Sequence, residues 1–344
     1  MSSSAATPPV AASASAAEPE GEPPIDLLDR RLLVVTGKGG VGKTSVACAL
    51  GMAAARTGRR TLLVELEPAG AVASAFDVAA LRFEPAEVAP GCWAMAMDTE
   101  ASLAEYLRIY VKLPVLGRLG PLARTFEFVA QAAPGVREIL TIGKLCHEVR
   151  RAHFDLVVVD APASGHVIEL LTAPRVVHDL VRVGRRSMVR DQTAWMLDIV
   201  EQSDQTGIVV VTTPEELPVN ETLDMVGRWQ RETPIGVAAV FANRVLPEPF
   251  GGREEAVFQR MTLPEHLPVL QQHLGPNVAP AIDATRWAVA RRRLAAEHLA
   301  RLRRQLPSGL VPVMLPDLDT RAGGRRLITQ LAEHLHDELD VVPR

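Results

Sequence analysis

Gly37-Lys38-Gly39-Gly40-Val41-Gly42-Lys43-Thr44 follows the apolar run 31–36 and opens onto 45–57, an alanine-rich run of helix formers. Buried strand, glycine-rich turn and helix come in that order. Glycines at 37, 39, 40 and 42 let the backbone close round an anion with its N–H groups inward, and the new helix adds its positive end. The stretch reads as a phosphate-binding P-loop. Lys43 is placed to reach the β- and γ-phosphates of a nucleotide, and the Thr44 hydroxyl to bind Mg²⁺. Val41 and Ser45 complete the cradle, so residues 37–45 are candidate nucleotide-binding residues, with Lys43 also catalytic.

Outward from the loop, Arg59-Arg60 leads into Thr61-Leu62-Leu63-Val64-Glu65, a second short apolar strand, which closes a βαβ unit. Apolar runs recur at 93–97, 154–160, 208–212, 235–242 and 310–315, with helix-like stretches between them. This alternation predicts an α/β fold: a mostly parallel, doubly wound sheet of about seven strands, with its ligand at their carboxyl ends. A single domain over residues 29–344 is expected, since 47% of the 344 residues are hydrophobic and no long central linker interrupts them.

Other features narrow the function. A net charge of −4 and a pI near 6.2 give no reason to propose a nucleic-acid partner. The three cysteines, Cys48, Cys92 and Cys146, are widely spaced with no C-x-x-C pair, which argues against a disulfide framework or zinc staple and fits buried thiols in a reducing cytoplasm. No run approaches the roughly 18 apolar residues of a membrane span. Residues 1–28 are Ala, Ser, Pro and Glu with almost nothing to bury, so a disordered tail is expected. Glu18, Glu20 and Glu22, and the lack of a basic start and apolar centre, separate it from a targeting signal.

The run His153-Phe154-Asp155-Leu156-Val157-Val158-Val159-Asp160 is a buried strand ending in a carboxylate. Beside a P-loop, Asp160 is placed to hold Mg²⁺ together with Thr44. Asp160-Ala161-Pro162-Ala163-Ser164-Gly165-His166 follows, and Lys38 adds a second lysine inside the P-loop. On these two motifs the chain resembles the ArsA and tail-anchored-protein-targeting ATPases, a deviant P-loop class that dimerises face to face around nucleotide. The resemblance covers about residues 30–340. It implies that Lys38 acts catalytically across the dimer interface, that Gly165 senses the γ-phosphate, and that His166 couples this switch to moving helices. It places the first switch at Glu65-Leu66-Glu67-Pro68-Ala69-Gly70-Ala71, where the family reads D-x-D-P-A-H and its second acid positions the attacking water. Glu67 takes that place here. Its extra methylene moves the carboxylate by about 1 Å, which can cost on the order of 10²-fold in rate, so slow hydrolysis is expected. The resemblance also gives Asn243, at the end of Val240-Phe241-Ala242-Asn243-Arg244, a contact with adenine. No N-K-x-D run is present there, which favours ATP over GTP. The segment 211–222 resembles a strand-to-helix segment of the same family and reads equally as a capped helix start.

A helical insertion is expected over about 98–151 and 174–204. Leu103, Tyr106, Leu107, Tyr110 and Val111 fall at helical spacing, and Leu116, Leu119, Leu122, Phe126 and Val129 extend a second apolar set, with Pro114, Pro121 and Pro134 as breakers. Such stripes are core as often as they are groove. Resemblance implies a groove for a hydrophobic or membrane-protein client. Arginines at 182, 185, 186 and 190, and at 286, 291–293, 301, 303 and 304, read as solvated helix faces. The expectation is a cytoplasmic Mg²⁺-dependent ATPase using ATP and Mg²⁺, switched as a homodimer or as a heterodimer with a paralogue. The alternatives are an ArsA-like subunit of an anion or metalloid efflux system and a ParA- or MinD-like positioning ATPase.

Overall fold

A computed structural model of the protein describes residues 27–111, 135–163, 165–180, 188–248, 250–318 and 323–339. Leu27 and Leu28 are buried in a short 3-10 turn, Leu27–Asp29, so packed structure reaches two residues further than the expected boundary at 28. The P-loop lies between β1 (Leu32–Gly37) and α1 (Lys43–Arg56), after which β2 (Thr61–Glu65) returns to the sheet. A short α2 (Ala71–Phe76) and the hairpin β3 (Ala86–Ala89) and β4 (Cys92–Ala96) lead to α3 (Thr99–Tyr106), which the Asp98 side chain caps at 2.7 Å from the Ala101 N–H. Then come α4 (Val136–Arg151), β5 (Leu156–Asp160), α5 (Gly165–Leu180), α6 (Met188–Val200), β6 (Thr206–Thr212), α7 (Glu216–Glu232) and β7 (Val237–Val245). The helices α8 (Gly252–Met261), α9 (Leu267–Leu274) and α10 (Val278–Gln305) precede β8 (Pro312–Pro316) and α11 (Gly324–Glu338).

The strands form one sheet in the order β3-β4-β2-β5-β1-β6-β7-β8, parallel except for β3. All seven expected strands are present. The count of seven needs one correction, because β3 pairs antiparallel along the outer edge of β4. It is four residues long with two of them exposed, so it carries no apolar run to betray it. The central strands β1, β2, β5 and β6 are buried on both faces, which is why they read as continuous apolar runs rather than alternating ones. One face is covered by α1, α2 and α11 through Val46, Leu50, Phe76, Ile328 and Leu335; the other is covered by α4 to α7, through Ile142, Leu145, Leu171, Met196 and Trp229.

The insertion is rooted on α3 and α4 by a buried charge cluster. The Lys144 ammonium lies 2.7 Å from the Glu105 carboxylate and 2.8 Å from that of Glu148, and 4.6 Å above the Phe83 ring. Leu103, Tyr106, Leu107 and Tyr110 are half-buried, and Tyr106 donates a 2.7 Å hydrogen bond to Gln192 on α6. Leu116, Leu119, Leu122, Phe126 and Val129, with Pro114, Pro121 and Pro134, lie outside the described residues, as do Arg182, Arg185 and Arg186. The second helical stretch begins earlier than the expected 174, because α5 starts at Gly165 and carries Pro174 inside it. Several arginines of α10 are tied to neighbouring side chains: Arg293 to Glu255, Arg292 to Glu248 at 3.2 Å, and Arg291 over Trp287 at 4.7 Å.

Candidate nucleotide-binding site

The sheet order puts β1 between β5 and β6, so the loop leaving β1 meets the carboxyl ends of both neighbours. Close approach there explains two of the glycines. Gly37 has φ +148°, and a Cβ on it would stand 2.2 Å from the Val211 carbonyl oxygen of β6. Gly42 has φ +93°, and its Cβ would stand 2.3 Å from Nδ2 of Asn243. Any L side chain at either position would push the loop off the sheet.

Three strand ends converge on the loop. Val35, Asp160 and Glu65 lie side by side in the registers of β1, β5 and β2. The Thr44 hydroxyl donates to Asp160 Oδ2 at 2.6 Å, which joins the two residues expected to hold Mg²⁺. Burial pushes the Asp160 carboxyl up to about 6; the Thr44 hydrogen bond and the Lys43 charge work against this, while Glu65 and Glu67 reinforce it. One hydroxyl and one carboxylate form a hard oxygen pair suited to Mg²⁺, which takes its remaining ligands from phosphate and water. Among the described residues no cluster of three or more His, Cys, Asp or Glu side chains could hold a metal.

The Lys43 ammonium donates to the Lys38 carbonyl at 3.2 Å, so it lies curled over the loop. Lys38 itself is ion-paired within its own chain, 2.5 Å from Glu221 Oε1 on α7. Asn243 is buried, and its amide nitrogen donates to the Val41 carbonyl at 2.8 Å. Asn243 therefore braces the P-loop. The two switch glutamates separate in role. Glu65 is buried, and its Oε1 accepts from the Ala71 N–H at 2.8 Å, capping α2 in place of a local side chain. Glu67 is exposed, yet near enough for its charge to reach Asp160.

Gly165 opens α5 just beyond Asp160, which turns a helix N-terminus toward the loop side of the sheet. Ser164 lies outside the described residues. His166 is exposed and lies 3.5 Å from Glu169 on its own helix. Sequence reasoning did not single out Glu221 or the capping role of Glu65. Glu221 lies within the run 211–222, on the helix that leaves β6, and no local spacing marks it as a partner of Lys38.

A glycine loop between a central parallel strand and a helix, with its lysine and hydroxyl facing a strand-end carboxylate, defines a P-loop nucleotide-binding protein. Residues 30–191 match the family model described as "Anion-transporting ATPase". Over these residues the chain carries an ArsA-type ATPase domain. It is 37% identical over 229 residues to "ATPase BagA" of Mycobacterium tuberculosis, an alignment covering 63% of this chain and 66% of that protein. It is 24% identical over 249 residues to "ATPase ASNA1 homolog" of Entamoeba dispar, covering 62% and 76%. It is 29% identical over 237 residues to "Arsenical pump-driving ATPase" of Acidiphilium multivorum, covering 63% and 40%.

Proposed function

We propose that the protein binds Mg·ATP and hydrolyses it slowly, as a dimer whose closure depends on nucleotide. The Thr44–Asp160 hydrogen bond at 2.6 Å carries this reading, because it brings the P-loop hydroxyl and the strand-end carboxylate together. In the proposed complex, the N–H groups of residues 37–45 cradle the phosphates and Lys43 swings from the Lys38 carbonyl onto them. Thr44 and Asp160 hold Mg²⁺, which neutralises charge on the phosphates. Asp160 is mostly ionised above pH 6, so it is ready for a cation at neutral pH. Glu67 orients the attacking water, Gly165 faces the γ-phosphate, and Lys38 reaches the nucleotide of a facing subunit. Asn243 contacts adenine through its Oδ1.

The client would be apolar. Val176 and Leu180 are 56% and 75% exposed on α5, the helix that Gly165 opens, so a movement of the switch would shift an apolar surface. Burying a client helix there would contribute roughly 25 cal/mol per Å² before ordering costs. The arsenical-pump role in the names of some relatives finds no support in the thiols. Cys48, Cys92 and Cys146 are buried on three different elements, and burial raises the pKa of each. No helix among the described residues is long and apolar enough to cross a membrane. A cytoplasmic location is part of the proposal.

Phosphate release at saturating Mg·ATP, with sedimentation of the trapped state, tests the reading. Lys43→Ala should abolish turnover, while Lys38→Ala should keep most ATP binding and lose turnover. A wild-type protein that turns over ATP yet stays monomeric at micromolar concentration with trapped nucleotide would remove the dimer from the account.

A further inference from the structure

Lys38 is the loop lysine whose ammonium is ion-paired to a residue outside the loop. Lys43 lies over the loop, held by the Lys38 carbonyl at 3.2 Å, whereas the Lys38 side chain pairs with a residue of a different element. It ends 2.5 Å from Glu221 Oε1, with the two side chains 32% and 43% exposed. Glu221 belongs to α7, which leaves β6, the strand hydrogen-bonded to β1 on the side opposite β5. The pair therefore ties the P-loop to a helix on the flank of the site away from Asp160.

We propose that Glu221 is the resting acceptor for Lys38, and that exchange of this carboxylate for the phosphates of a facing subunit sets how much nucleotide is needed to close the dimer. This rests on the proposed role of Lys38 across the interface. The physical reason is competition for one ammonium. A compact ammonium pairs with a single strong anion at a time, so Lys38 must leave Glu221 before it can reach a phosphate. A ligand moves such an equilibrium only through the difference in its affinity for the two states, and the Glu221 pair lowers the starting population of the competent one. A pair this exposed is weak enough to break for a doubly charged phosphate and strong enough to hold the lysine when none is present.

Two measurements separate the pair from the dimer. In the nucleotide-free full chain, acetylation of Lys38 by an amine-reactive reagent, read by mass spectrometry, should be about two- to fivefold faster in Glu221→Gln than in wild type, the range an exposed ion pair supports. In sedimentation with Mg·ADP and aluminium fluoride, Glu221→Gln should reach half-closure at about two- to fivefold less nucleotide. In a Lys38→Ala background the same substitution should have no further effect. Equal labelling of Lys38 in both proteins overturns the resting pair. Faster labelling with an unchanged or higher closing concentration overturns its control of closure. Failure of the wild type to dimerise, with Lys38 labelling still sensitive to Glu221, places the fault in the dimer reading rather than in the pair. Glu221→Ala, melted in parallel, separates a lost contact from a lost fold.

Discussion

Asp160→Asn should stabilise the nucleotide-free protein while removing its Mg²⁺-dependent nucleotide binding. Burial raises the Asp160 carboxyl from the ordinary 3.8 to about 6, so the folded chain binds this proton more tightly than the unfolded chain does. The acid form therefore favours the fold, an advantage complete below pH 3.8 and lost as the pH rises through about 6. At about 1.4 kcal/mol per tenfold change in proton affinity, holding the carboxylate ionised at pH 7.5 costs about 3 kcal/mol. An asparagine oxygen still accepts from the Thr44 hydroxyl, less strongly than a carboxylate by about 1 kcal/mol. The variant should then be about 1–3 kcal/mol more stable at pH 7.5 in urea unfolding, with the gap smaller by about 1.4 kcal/mol at pH 5. A variant less stable than wild type, or a gap independent of pH, would refute the reasoning.

Gly42→Ala combines a backbone φ of +93° with a Cβ 2.3 Å from the Asn243 amide, so the loop must shift and the Asn243–Val41 bond must go. At about 1–2 kcal/mol for the left-handed conformation alone, calorimetry should show at least tenfold weaker nucleotide binding. Lys144→Met leaves Glu105 and Glu148 facing each other in a site where the lysine is only 6% exposed. It should cost about 3–5 kcal/mol in denaturant unfolding. Nucleotide affinity should be unchanged, since the cluster lies on α3 and α4.

The sheet was legible because each parallel strand is buried on both faces and so writes a continuous apolar run, as at 61–65 and 156–160. The edge strand β3 was not, because Ala86 and Glu87 face solvent. The P-loop and Asp160 were readable because phosphate and cation binding demand particular residue types at fixed spacing. Contacts decided by tertiary approach left no such mark. Glu65 reads as half of a switch and acts as a helix cap, and Asn243 reads as a base contact and spends its amide on Val41. Lys144–Glu148 falls at helical spacing, but Lys144–Glu105 and Lys38–Glu221 join residues 39 and 183 positions apart, and no spacing rule reaches that far.

The most direct measurement is calorimetric titration of wild-type protein and Lys43→Ala with ATP and with GTP, each with and without Mg²⁺. The account predicts Mg²⁺-dependent binding of ATP in preference to GTP, lost in the variant. Wild-type protein that binds neither nucleotide, or a variant that binds Mg·ATP as well as wild type does, would contradict it.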